Sequence, residues 1–291
     1  MTPSIPLAVI GGSGFYEMPG LSDVEELAVE TPFGPPSDAI RVGMLQGKRV
    51  AFLARHGRGH TILPSDLPQR ANMWALKSLG VERVLSVSAV GSLTEELAPG
   101  HLVTPDQLID RTRMDRPATF FGAGVVAHVA MADPFCPAMR IAARNAATTA
   151  GAKVHGSGTL VVIEGPAFGT RAESELYRLW RADLVGMTAL PEAKLAREAE
   201  LCYATLACIT DYDCWHEGES VDADTVFERM AKNVAVSQAA VGHLVASLPP
   251  RAGCGCATAL DTALVTHPDA IDDAARERLA PILARRLGVP A

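Results

Sequence analysis

The run Tyr203-Ala-Thr-Leu-Ala-Cys-Ile-Thr210 is made of small, apolar and β-branched residues on both alternating faces, and it ends in Asp211-Tyr212-Asp213. A strand apolar on both faces has to be covered on both, as central strands of parallel sheets are by their crossover helices. In open α/β sheets, ligands sit beyond the carboxyl ends of such strands. Two carboxylates at that point are therefore expected to face a site. The competing reading has one capping a following helix and the other solvated.

Other segments repeat the arrangement. Leu7-Ala-Val-Ile10 runs into Gly11-Gly12-Ser13-Gly14, where glycines let backbone amides converge on an anion and Ser13 adds a hydroxyl. This turn is not a dinucleotide fingerprint, because Phe15-Tyr16-Glu17 follows in place of a helix-opening run with a third glycine. Residues 49–54 deliver Arg55-His56-Gly57-Arg58-Gly59-His60, whose arginines and histidines are costly in a core and natural around an oxyanion. Residues 83–93 bring Ser88 and Ala89 to a strand end, and Thr159-Leu-Val-Val-Ile163 opens into Glu164-Gly165-Pro166. Helical patterns separate the strands at 69–79, 138–151, 172–182, from Pro191 onward and at 221–248; a last amphipathic helix is expected over 269–287. Such alternation marks βαβ units. The expected fold class is α/β, a single domain with a mixed, largely parallel central sheet flanked by helices.

Composition narrows the function. With 291 residues, 48% of them hydrophobic, the chain can bury a large core unaided. A formal net charge of -7 argues against a general nucleic-acid binder, which needs clustered Lys and Arg. The first residues lack a basic region with a long apolar run, and no stretch approaches the roughly 18 apolar residues that span a bilayer, so no membrane partner and a cytoplasmic location are expected. The 6 cysteines stand singly except for Cys254-Gly255-Cys256. No second Cys or His pair lies at metal-finger spacing, so no metal is expected; a local disulfide and reduced thiols both stay open for Cys254 and Cys256.

Taken together, Gly11-Gly-Ser-Gly14, Arg55-His-Gly57, Ser88-Ala-Val-Gly91, Glu164-Gly-Pro166, Gly186-Met187-Thr188 and Thr210-Asp-Tyr-Asp213 closely resemble the trimeric branch of the purine nucleoside phosphorylase family, in particular its members that act on methylthioadenosine. The likeness keeps order and spacing from about residue 7 to about residue 248 and includes Asp133-Pro-Phe-Cys-Pro137. It implies the nucleoside phosphorylase fold over 1–248, with 249–291 as a C-terminal extension packing on the domain or on a neighbouring subunit. It also implies reversible phosphorolysis of S-methyl-5'-thioadenosine to adenine and 5-methylthioribose 1-phosphate, in purine and methionine salvage. Inorganic phosphate is then a co-substrate and no cofactor is required. The resemblance implies phosphate held by Ser13, Arg55, His56, Ser88, the Ala89 amide and Thr188, with Met187 along the ribose. Asp211 and Asp213 would read the N7 and 6-amino edge, Phe168 would flank the base, and His128 would reach the 5' end of the substrate in an adjacent subunit of a trimer or dimer of trimers.

The chemistry agrees with the residue types. Cleaving an N-glycosidic bond builds positive charge on the sugar, so the site has to supply an anionic nucleophile and a protonated leaving base. An enclosed carboxyl with a raised pKa provides that proton, the role expected of Asp211. Carboxylates suit an exocyclic amine and oppose a 6-oxo group. Oxopurine members of the family carry Glu where this chain has Gly169 and Asn where it has Asp211, and Ala223, Val226 and Phe227 would line an apolar 5' pocket suited to a methylthio group. The rival readings are a 6-oxopurine or methylthioinosine phosphorylase, a nucleosidase using water, and a nucleotide-binding regulator or nicotinamide-dependent oxidoreductase. One departure from the family is Leu67-Pro68-Gln69, where an Asn-Tyr or Asn-Phe pair is usual.

Overall fold

The computed structural model describes every residue except 1–4, 13, 16, 114–115, 218–221, 252 and 289–291. In chain order the strands are β1 (Leu7–Gly11), β2 (Ser22–Leu27), β3 (Ile40–Leu45), β4 (Lys48–Ala54), β5 (Arg83–Ser92), β6 (Leu102–Val103), β7 (Gln107–Arg111), β8 (Val154–His155), β9 (Thr159–Ile163), β10 (Leu184–Gly186) and β11 (Cys202–Asp211). The helices are α1 (Gln69–Ser78), α2 (Pro137–Thr149), α3 (Arg171–Leu179), α4 (Ala189–Glu198), α5 (Ala223–Ala246), α6 (Asp273–Arg278) and α7 (Ala280–Leu287). Among the described residues the 11 strands join in one mixed sheet.

β11 is buried along its whole length and its side chains alternate between two cores. Cys202, Ala204, Leu206 and Cys208 enter one, under α2 and α5. Tyr203, Ala207 and Ile209 enter the other, under α1 and α4. The strand lies parallel to β5 from Cys202 opposite Arg83 to Ile209 opposite Val90, and β5 in turn lies parallel to β1. At its end β5 leaves this arrangement: Gly91 and Ser92 pair antiparallel with β10. Three strand ends thus converge on Gly91.

Toward one edge, β2, β3 and β4 form an antiparallel ribbon that the apolar pattern alone did not reveal. β2 is exposed and carries Asp23, Glu25 and Glu26, charges that blunt a sheet edge against further pairing. The stretch after 106 contributes β7, parallel to β9.

The single helix expected over 269–287 is instead a 3-10 turn (Pro268–Ala270) followed by α6 and α7. Pro281 lies in the first turn of α7, where its missing N–H costs nothing, but it cannot continue a helix from α6. Residues beyond 248 pack into the same core through Leu260, Ile271, Leu279 and Ile282. Arg285 pairs with the buried Glu200 at 2.6 Å, and Trp74 donates to the Arg278 carbonyl at 3.0 Å. No helix among the described residues is long and apolar enough to cross a membrane.

Candidate active site

A cavity of about 390 Å³ opens at the carboxyl ends of β1, β4, β5, β10 and β11 and is roofed by the start of α5. At its floor, β11 bulges between Ile209 and Asp211 and swings the Asp211 carboxylate inward. Oδ2 accepts from the Thr210 hydroxyl at 2.7 Å and Oδ1 from the Asp213 amide at 2.9 Å. Gly91 lets this happen: a Cβ there would stand 2.9 Å from Asp211 Oδ1 and 3.0 Å from Val185 Cγ1. Asp213 has a left-handed backbone (φ 53), and its carboxyl is pushed above the usual range by burial. Trp215 then anchors the loop by donating to the Ser92 carbonyl at 2.8 Å, under the Arg178 guanidinium. Both aspartates line the cavity and neither caps α5, which begins at Ala223.

The same cavity holds the groups expected to bind an anion. Gly12, Arg55, His56, Ser88, Ala89 and Thr188 all line the cavity, and Ser13 lies outside the described residues. Most of the Arg55 guanidinium is engaged within the protein. Nε pairs with Glu192 at 3.3 Å, Nη2 donates to the Ile10 carbonyl and to Ser86 Oγ, and Nη1 donates to the Val87 carbonyl. A fully buried guanidinium needs such partners, and Glu192, itself held by the Tyr203 hydroxyl at 2.8 Å, supplies the counter-charge. Arg58 differs: it turns to solvent and pairs with Glu26 at 2.7 Å and Asp38 at 3.4 Å, outside the cavity.

His56 is buried, with Nδ1 2.8 Å from the Ile62 carbonyl, and desolvation lowers its pKa to about 4. The neutral ring therefore donates from Nδ1 and leaves Nε2 as an acceptor. His60 stacks on it at 4.2 Å between centroids, and Phe227 meets His60 edge-on at 5.4 Å. Ala223, Val226, Phe227 and Met230 of α5 make the neighbouring wall apolar.

Met187, Phe168 and Gly169 line the same cavity. Met187 packs so tightly on Gly165 (φ 69) that a Cβ there would fall 2.5 Å from its sulfur. Buried Arg116 fixes this corner, pairing with Glu164 at 2.8 Å and donating to the Met187 and Leu190 carbonyls. Gly169 has open space where a side chain would project. At the family departure, Leu67 is buried and Gln69 Nε2 donates to the Thr188 carbonyl at 3.3 Å. His128 is exposed and off its own chain's cavity.

Arg116, Glu192 and Tyr203 are the site-building residues that the sequence reading missed. A lone polar residue in a helical or apolar stretch carries no sign of its distant partner. The same holds away from the cavity, where no metal was expected: the sulfurs of Cys136, Cys202, Cys254 and Cys256 lie within 4.8 Å of one another, brought in from three separate segments.

A family model described as Phosphorylase superfamily matches residues 6–246. The chain is 57% identical over 283 residues to S-methyl-5'-thioadenosine phosphorylase of Chloroflexus aurantiacus, covering 97% of this chain and 98% of that one. It is 51% identical over 278 residues to the protein of the same name from Geobacter sulfurreducens, covering 95% and 97%. Among solved structures, a methylthioadenosine phosphorylase from an Antarctic soil metagenomic library superimposes with a TM-score of 0.91 at 49% identity, covering 96% and 99%. The methylthioadenosine phosphorylase from Schistosoma mansoni in complex with adenine gives 0.78 at 38% identity, covering 84% of this chain and 92% of that one. With its strand-end cavity and these likenesses over nearly its full length, the chain belongs to the phosphorylase superfamily.

Proposed function

We propose that the chain catalyses the reversible phosphorolysis of S-methyl-5'-thioadenosine to adenine and 5-methylthioribose 1-phosphate, a purine nucleoside phosphorylase-type pentosyl transfer in purine and methionine salvage. The observation that carries the reading is one cavity lined together by a carboxylate pair, by the groups expected to bind an anion and by apolar residues of α5. Relatives named for this activity over nearly the whole chain support it.

In this reading phosphate sits against the Ser88 hydroxyl, the Ala89 amide, Thr188, His56 and the glycine turn with Ser13. Arg55 adds its charge and its remaining Nη1 hydrogen. A phosphate oxygen attacks C1' as the C1'–N9 bond breaks, and the bonding electrons leave with the base. Asp211 donates the N7 proton and Asp213 accepts from the 6-amino group. Met187 lies along the ribose and Phe168 flanks the base. The 5'-methylthio group meets Ala223, Val226 and Phe227.

The open space at Gly169 and the acids at 211 and 213 favour adenine over a 6-oxopurine, since the oxo group would face negative charge. The assembly proposed is a homo-oligomer, a trimer or dimer of trimers, in which His128 serves a neighbour's site; its exposure away from its own cavity supports this. Phosphate is the co-substrate and no cofactor enters. We also propose that 1–248 form the catalytic domain and 249–291 an extension of it.

Product analysis with methylthioadenosine, with and without phosphate, tests the reading. Adenine and a sugar phosphate are expected only with phosphate. Free sugar without phosphate means a hydrolase. Faster turnover of the hypoxanthine analogue means an oxopurine enzyme.

A further inference from the structure

We propose that Cys136, Cys202, Cys254 and Cys256 bind one Zn²⁺ in a structural four-thiolate site. Their sulfurs lie within 4.8 Å of one another, and Cys254 Sγ stands 3.4 Å from both Cys136 Sγ and Cys202 Sγ. A tetrahedral four-sulfur site with Zn–S bonds of about 2.3 Å has its sulfurs roughly 3.8 Å apart, so the cluster needs only small side-chain adjustments to close on the ion. A disulfide joins sulfurs in pairs, whereas Cys254 is equidistant from two. Four soft sulfurs with no carboxylate or imidazole among them suit zinc and exclude hard cations. All four positions are taken by protein ligands, which marks the site as structural.

The ligands come from rigid places. Cys136 is the N-cap of α2, where the positive end of the helix favours a thiolate. Cys202 opens β11, and Cys254 and Cys256 flank Gly255 at the start of a 3-10 turn. Cys136, Cys202 and Cys256 are buried, while Cys254 is half-buried and gives the ion a way in. Bound zinc therefore ties the C-terminal extension to the foot of the strand whose far end carries Asp211. The ten residues of β11 put about 30 Å between the two. The ion stabilises the fold and takes no part in turnover.

Tag-free protein purified under reducing conditions without chelator is expected to hold one zinc per chain by elemental analysis, released by a mercurial in step with four thiols. Cobalt added to the metal-stripped protein is expected to give intense visible bands of a tetrahedral thiolate site. Stripping should lower Tm by on the order of 10 °C, restored by zinc alone, with the turnover of protein that stays folded unchanged. Cys254→Ser and Cys256→Ser should each lower the zinc content. Four freely titrating thiols with no bound metal, disulfides in the purified protein, or stoichiometric iron in place of zinc would each overturn the proposal; these readings on the wild type do not depend on how the variants fold.

Discussion

Both oxygens of Asp211 already accept a hydrogen bond, so an amide in its place keeps the geometry and loses the proton. Asn retains an acceptor for the Asp213 amide, and the Thr210 hydroxyl can turn to accept from the new NH₂. Asp211→Asn is therefore expected to fold normally and turn over roughly 10²–10⁴-fold more slowly, with KM for phosphate within about twofold of wild type. Steady-state kinetics at saturating nucleoside checks this, and a near-normal rate would end the assignment. His56 carries a second expectation. With its pKa near 4 and its Nδ1 hydrogen facing Ile62, the free site holds a neutral ring with an accepting Nε2. A phosphate monoanion satisfies that acceptor with its P–OH; a dianion does so only by charging the imidazole. Either way the complex holds one proton more than neutral His56 plus dianion. KM for phosphate should rise up to about tenfold per pH unit above the second ionisation of phosphate, and a KM that falls there would refute the pairing. The aspartates and His56 were legible because charge beside an apolar strand is costly unless it has a task. Glu192 was not legible, since nothing local marks it as the counter-charge of Arg55.

The end of β5 is where element geometry becomes chemistry. Gly91 serves β10 antiparallel and β11 parallel at once, and the three strands come close only because it has no side chain. Gly91→Ala places a carbon 2.9 Å from Asp211 Oδ1 and 3.0 Å from Val185, so strand or carboxylate has to move. Overpacking of this kind costs about 1–3 kcal/mol. The expected result is a fall in Tm of several degrees together with turnover slowed by roughly two orders of magnitude or more, because small displacements of an acid are expensive. A variant with wild-type turnover and lowered Tm would show the contact to be structural only. The parallel strands and long helices were readable because they are buried on both faces or strictly periodic. β2 and β3 were not, because an edge ribbon with charges outward lacks such a run. The split between α6 and α7 was missed because the apolar stripe continues across Pro281 while the backbone does not.

Across the whole molecule, two buried groups pull the pH dependence of stability in opposite directions. His56 has a folded pKa of about 4 against a usual 6.5, so between those values the unfolded chain binds the extra proton and stability rises with pH. Glu198 is the converse. Burial raises it from 4.5 to about 7, against the pull of the Thr119 hydroxyl and the Phe120 amide, each 2.7 Å away. Between 4.5 and 7 the folded chain binds the extra proton, so stability falls with pH. Each effect is on the order of 3 kcal/mol, and where the windows overlap, between about 4.5 and 6.5, they nearly cancel. Glu198→Gln removes one side of the balance while its amide keeps partners in Phe120 and Thr119. Denaturant unfolding in phosphate-free buffer should then show stability that gains about 3 kcal/mol relative to the wild type from about pH 4.5 to 6.5. Above about pH 7 the variant should be the more stable of the two, because wild-type Glu198 is then a buried carboxylate with no cation beside it among the described residues. A variant whose curve parallels the wild type throughout would mean that Glu198 is ionised in the folded state across this range, and the loop at Thr119 and Phe120 would then be held by two charge-assisted hydrogen bonds.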